Sequence, residues 1–254
     1  MMRAAVENGD AKKMVELMRQ DPGFNVNMSQ DGDGWTLLHV ACYENRRSAV
    51  IPLLLAHPDI EVNLRDMHGW TPFLGACANA ATSCVREMLT DSRVKVNEPD
   101  NDGYTPLCHA AANGRLDIIK WWLVSERGMY LGEPGDQKSD AIGAAKRFGR
   151  PEVVTLLERF KENPGLARHQ VRAELGLLDE LAAEMFALVV FVSDELLQIN
   201  DTTTPSPAAR FFKIAAQLPL ELQMVLCFRQ VGSVKEIITG KDSEVAFKSL
   251  AMRI

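Results

Sequence analysis

The sequence predicts an all-α fold of stacked two-helix repeats, followed by a further α-helical C-terminal region. Three observations carry this. One phrase recurs, as DGDGWTLLHVAC at 31–42, DMHGWTPFLGAC at 66–77 and DNDGYTPLCHAA at 100–111. Its glycines, Gly34, Gly69 and Gly103, lie 35 and 34 residues apart. Val-Asn pairs close successive units at Val26-Asn27, Val62-Asn63 and Val96-Asn97. A turn and two short helices cannot bury an apolar face alone, so a unit of this period is stable only when stacked on its neighbours.

The units follow in order. In residues 1–30, Ala5 and Gly9 keep the spacing of Ala110 and Gly114, and Met14, Val15, Leu17 and Met18 supply a second helix. The turn and the Thr-Pro start are missing, as suits an end repeat whose outer face meets water. Units two to four span 31–65, 66–99 and 100–134. In each, a Gly turn leads to a Thr at the helix N-cap (Thr36, Thr71, Thr105), with Pro72 and Pro106 at the first helical position. In the fourth, Gly114 ends the first helix and Ile118, Ile119, Trp122 and Leu123 give the second its apolar face. The second unit has an extra residue between its helices and carries Pro52 within the second. Proline costs a helix interior about 3 kcal/mol, so a kink or a late helix start is expected there. The third unit has Ala80 where a helix-breaking glycine is expected, and Leu74 in place of the histidine. A fifth unit, 135–164, retains Ile142, Ala145 and Gly149 followed by Val153, Val154, Leu156 and Leu157, with Asp140 as the N-cap. The loop before it, ERGMYLGEPGDQKS, is rich in glycine and is expected to protrude; Asn163-Pro164-Gly165 ends the array.

Residues 165–254 change character. Val171, Leu175, Leu178, Leu181, Met185, Leu188 and Val192 recur in steps of three and four, as on a helix. The window FALVVFV (186–192) is apolar on every side, which implies a helix buried all round or one covered by a partner. Asp201-Thr-Thr-Thr-Pro-Ser-Pro207 reads as a linker. Short helices are expected at 207–217, 219–230 and 243–253. This region either caps the array or forms a second small domain.

The recurring phrase resembles the ankyrin repeat. The matching residues are G-W-T at 34–36 with His39 and Ala41, G-W-T-P at 69–72, and G-Y-T-P-L at 103–107 followed by A-A-x-x-G at 110–114. The resemblance spans residues 1–164. It implies a turn, two antiparallel helices and an outward loop per repeat, stacked as an ankyrin-type helical solenoid that binds a protein or peptide segment in its concave groove.

Under that resemblance, the residue before each capping side chain lies on a finger facing the groove. These are Trp35, Trp70 and Tyr104, with Ser139 in the fifth unit. The turns add Asp33, His68, Asp102 and Gln137, and the first helices add Tyr43, Glu44, Asn79, Asn113, Arg147 and Phe148. Stacked helices lie roughly 8–10 Å apart, so the finger rings are expected to leave gaps between them. Rings beside carboxylates favour Arg or Lys on a partner, which points to a basic or aromatic-rich segment with Trp70 central. The alternative is that an aromatic before the capping Thr only covers its own finger. Trp121 and Trp122 read as packing within a second helix, and His39 and His109 as hydrogen-bonding structural residues.

Composition narrows the functional classes. The chain has 254 residues, is 46% hydrophobic and 24% charged, and carries a net charge of −6, which argues against nucleic acid as a partner. Cys42, Cys77, Cys84, Cys108 and Cys227 form no C-x-x-C pair and read as buried thiols of a reducing compartment. His57, His68 and His169 are scattered and suggest no metal site, and no cofactor motif is present. His39 and Cys42 share a helix face, but a nucleophile at a packing position is not expected. A non-enzymatic role follows. No secretory signal is visible and no apolar run is long enough to span a bilayer, so the cytoplasm is expected, with the nucleus as the alternative.

Two other readings stay open. LPLELQMVL (218–226) resembles the opening of an F-box, which implies docking to a ubiquitin-ligase adaptor through Leu218, Pro219, Leu220, Leu222, Val225 and Leu226, with the repeats selecting substrates. The apolar helix 183–197 could instead serve a scaffold or oligomer subunit; the oligomeric state is not legible. LAHPDIEVN (55–63) resembles ankyrin sites of asparagine hydroxylation at Asn63, whose other reading is a hydrogen bond to the turn of its own loop. Thr204-Pro205 and Ser206-Pro207 have the form of proline-directed phosphosites.

Overall fold

Four of the five first helices begin where the sequence offers a capping side chain. Thr36, Thr71, Thr105 and Asp140 accept hydrogen bonds from the backbone N–H of His39, Leu74, Cys108 and Gly143. Asp10 caps the second helix of the first unit through Lys13 N–H. The structure, a computed structural model, describes residues 1–29, 32–193, 211–212, 214–231 and 246. The linker 201–207, its two phosphosites and most of the helix expected at 243–253 lie outside the described residues.

Five helix pairs follow: α1 (Met2–Glu7) with α2 (Ala11–Gln20), α3 (Leu37–Cys42) with α4 (Ile51–Leu55), α5 (Pro72–Ala78) with α6 (Thr82–Thr90), α7 (Pro106–Ala112) with α8 (Leu116–Val124), and α9 (Ala141–Arg147) with α10 (Pro151–Glu162). The second helix of unit two starts late, as expected. A 3-10 turn at Asn45–Val50 precedes it, which places Pro52 in its first turn, where no N–H is needed. Among the described residues there is no strand. First helices pack in the order α1, α3, α5, α7, α9, and second helices α6, α8, α10 likewise.

Close approach of the first helices needs small side chains, and Ala41, Ala76, Ala110 and Ala145 are buried at equivalent positions. The apolar face of α8 goes inward as read: Trp122 is fully buried, its ring edge-on to Phe73 with centroids 5.1 Å apart. Trp121 is half-buried under the guanidinium of Arg86, 3.8 Å from the ring centroid. The chain reverses between helices through left-handed residues, Gly9, Gly114 and Gly149 at φ of 65–68°; in the third unit Ala80 takes the same conformation at φ 60°.

Neighbouring units are also tied by side chains that reach backbone one repeat away. The amide of Asn27 donates to Asp59 O and accepts from Glu61 N–H; Asn63 does the same with Arg93 O and Lys95 N–H, and Asn97 with Gly128 O and Tyr130 N–H. Asn63 therefore clamps the next loop rather than the turn of its own, contrary to the local reading. Guanidinium groups satisfy the carbonyls left open at helix ends. Arg47 donates to Glu7 O, Arg115 to Ala78 O, Arg150 to Ala112 O, and Arg127 to four carbonyls between Leu89 and Val94. Beyond Arg127 the long loop is exposed from Glu133 to Lys138.

At Asn163-Pro164-Gly165 the chain starts a helix instead of ending the packing. The Asn163 side chain accepts from Leu166 N–H and proline fits the first helical position, so α11 (Pro164–Glu174) forms. It buries Ala167 and Val171, and Arg168 donates to Leu123 O. The chain divides into two compact units, Met1–Val171 and Arg172–Ile254. In the second, α12 (Leu178–Ser193) packs on α13 (Leu220–Val231). Phe186, Ala187 and Val189 enter a core with Ala182, Ala183, Cys227, Phe228 and Val231, while Leu188, Val190, Phe191 and Val192 stay half-buried. The all-round apolar window thus serves its own unit on one side.

Candidate protein-binding face

Trp70 and Tyr104 are each aimed by a carboxylate three residues before the turn glycine. In the third unit, Asp66 Oδ1 accepts the N–H of His68 at 2.9 Å and of Trp70 at 2.8 Å. In the fourth, Asp100 Oδ1 accepts the N–H of Asp102 at 3.0 Å and of Tyr104 at 2.9 Å. Both carboxylates are buried. Each turn closes with a backbone bond, from Asp66 N–H to Trp70 O and from Asp100 N–H to Tyr104 O. A short Asp side chain forms such turns against its own backbone, which fixes the direction of the residue that follows. Turns are also linked to one another, through Met67 N–H to Asp33 O and Asn101 N–H to His68 O.

Trp35, Trp70 and Tyr104 are half-buried. The gap expected between Trp70 and Tyr104 is filled. His109, on α7, sits between them, its ring centroid 5.3 Å from that of Trp70 and 5.7 Å from that of Tyr104. Its Nε2 lies 2.9 Å from Asp100 Oδ2. The Trp70 ring approaches α5 at Gly75, where an added Cβ would stand 3.9 Å from Trp70 Cε3. Trp35 pairs instead with Tyr43, centroids 5.1 Å apart. His39 ties the neighbouring finger down. Thr36 N–H donates to Nδ1, leaving the proton on Nε2 to be given to Trp70 O at 3.0 Å.

The other predicted residues divide. Asp33, His68, Asp102 and Asn113 are exposed, as are Tyr43, Arg147 and Phe148. Glu44 is committed to Arg46 and Arg47, and these pairings hold its carboxyl below the usual range. Asn79 turns back to donate to Gly75 O on its own helix. Ser139 is buried rather than presented to a partner, because its hydroxyl donates to Asp136 and accepts from Glu133 N–H within the long loop. Sequence reasoning placed His109 among structural residues and passed over Asp66 and Gly75. The usable signal was register: Asp66 to Gly75 and Asp100 to His109 are the same nine-residue step in successive units.

Elsewhere, the F-box-like stretch is split. Leu220 and Leu222 are exposed, whereas Leu218 and Val225 are half-buried and Leu226 packs against the core of its own unit. All five cysteine thiols are buried, and burial pushes those of Cys84, Cys108 and Cys227 up to about 12, about 11 and about 12. Among the described residues no group of three or more His, Cys, Asp or Glu could hold a metal ion, and no helix is long and apolar enough to cross a membrane.

Comparison with known proteins places this geometry. A family model for ankyrin repeats matches three overlapping stretches, residues 1–97, 48–133 and 74–167. Mouse Rabankyrin-5 is 52% identical over 56 residues, covering 22% of this chain and 4% of the relative. The human protein of the same name is 50% identical over a stretch of the same length. Bovine SMC5-SMC6 complex localization factor protein 1 is 46% identical over 56 residues, 22% of this chain and 5% of the relative. The matched stretch is thus a small fraction of each of these longer proteins.

Proposed function

The chain belongs to the ankyrin repeat family, whose repeats are protein–protein interaction modules, and from that premise we propose that its fingers and first helices bind an extended segment of another protein, without catalysis. The observation carrying this reading is the continuous ring surface of Trp70, His109 and Tyr104, with a separate ring pair, Trp35 and Tyr43, in the second unit. The rings are half-buried and held by hydrogen-bonded turns, so little side-chain entropy remains to be lost on binding. Exposed Asp33 and Asp102 beside the rings favour a segment carrying positive charge or aromatic groups. An extended segment advances roughly 3.3 Å per residue, so about every third side chain can meet a successive finger.

The test is Trp70→Ala in the full chain, read on arrayed peptides and by thermal unfolding. Retained peptides should bind more weakly by over ~1 kcal/mol while the fold persists. Unchanged binding together with a large loss of stability would mean that the ring only covers its own finger. For the adaptor reading, support is limited to the exposure of Leu220 and Leu222, since Leu226 is used internally.

A further inference from the structure

Repeat symmetry in the groove breaks at position 75. Asp66 and Asp100 are equivalent, and Oδ1 of each accepts the N–H groups two and four residues on. In the fourth unit the second oxygen, Asp100 Oδ2, meets His109 Nε2 at 2.9 Å. Nine residues after Asp66, at the place of His109, the third unit has Gly75. A Cβ built there would find a single heavy atom within 4 Å, Trp70 Cε3. Asp66 Oδ2 accepts no hydrogen bond from any described residue, although Asp66 is only 8% exposed. That oxygen is not sealed in: among the described residues, the buried side-chain polar atoms lacking a partner are Trp122 Nε1 and Gln223 Oε1.

Trp35 holds in the second unit the place that Trp70 holds in the third. The Trp70 ring borders position 75, whereas the Trp35 ring is turned onto Tyr43 of its own unit. The third unit thus keeps an aromatic wall, Trp70, and an unshared carboxylate oxygen, Asp66 Oδ2, beside a position that carries no imidazole.

We infer that this slot receives an arginine side chain of the bound segment, its guanidinium lying against the indole of Trp70 and donating an N–H to Asp66 Oδ2. The inference rests on the groove reading above and adds to it one subsite and one side chain. A flat group is required where an imidazole fits in the next unit. A hydrogen-bond donor is required because a bound segment that covered Asp66 Oδ2 without one would strip that oxygen of water and oppose binding. Arginine supplies both with a permanent charge that attracts an indole face. Phenylalanine would leave Asp66 unanswered, and lysine lacks the plane.

The full chain is tested on arrayed dodecapeptides with a fixed central Arg, citrulline, Lys or Phe and randomised flanks, followed by titration of the retained sequences. Citrulline keeps the shape of arginine and removes its charge. Wild type should favour Arg over citrulline by at least about tenfold. Gly75→His, which supplies the missing imidazole from within, should lose that preference; Gly75→Ala, which leaves the slot open, should keep it. Should Gly75→His fail to fold by circular dichroism, Asp66→Asn carries the test, since it keeps the Oδ1 turn and removes the charge. Equal retention of Arg and citrulline peptides overturns the slot and leaves groove binding standing, as does an Arg preference that survives both variants. A preference for Phe also overturns it. Retention of no peptide overturns the groove reading and the slot with it.

Discussion

Replacing Asn63 by Ala tests how one repeat is coupled to the next. The Asn63 amide donates to Arg93 O at 2.9 Å and accepts from Lys95 N–H at 2.8 Å, so one side chain clamps two backbone groups of the following loop. A net hydrogen bond contributes roughly 0.5–1.5 kcal/mol, and the groups left behind sit on exposed residues that water can reach, which removes the larger desolvation penalty. The expected cost is therefore about 1–2 kcal/mol. Because an array is stabilised by its neighbour interfaces, the loss should also loosen the coupling between units two and three and broaden the transition. Urea unfolding followed by circular dichroism measures the total. Hydrogen exchange localises it: the Lys95 amide should lose protection while amides within α5 keep theirs. Asn63→Asp retains the acceptor for Lys95 N–H but sets a carboxylate oxygen against Arg93 O, so it should cost at least as much as Ala at neutral pH. Wild-type protection of Lys95 in Asn63→Ala, or a stability change below about 0.3 kcal/mol, would refute the coupling role.

Ala80→Gly should stabilise the chain. A non-glycine residue in the left-handed region costs about 1–2 kcal/mol, and the added freedom of glycine in the unfolded chain returns roughly 0.4–1, leaving a gain of about 0.5–1 kcal/mol measurable by denaturant midpoint. A neutral or negative result would mean that the Ala80 methyl packs more than its backbone strains. The buried thiols set an alkaline limit. In an unfolded chain they ionise near about 8.5, whereas burial raises them in the folded state, so the folded chain holds more protons above that pH. Stability should be fully present below about pH 8.5 and fall as pH rises from there, with thiol reagents reacting only through opening. Fast stoichiometric labelling of any of the five cysteines in the native chain would contradict this.

Much of this protein was legible in one dimension because its repeats write the same physics several times. The Thr-Pro starts, the Gly turns, Asp140 as a substitute cap and the late helix start at Pro52 are local effects of backbone freedom and unsatisfied N–H groups. They were readable at Thr71, Gly103 or Pro52 without knowing the neighbours. Asn163-Pro164-Gly165 shows the limit of local reading, since the same residues that can stop a helix can also cap and start one. Only the tertiary arrangement decided what depends on register between units. Asn63 reaches a loop some thirty residues ahead instead of its own turn, Ser139 folds inward, and His109 slides between rings that belong to two different repeats. Those outcomes follow from the spacing of stacked helices, which brings distant backbone and side chains within hydrogen-bond range. The sequence by itself determined the repeating layer; the stacking of one layer on the next determined which polar groups were satisfied and left Asp66, opposite a glycine, with an oxygen still to share.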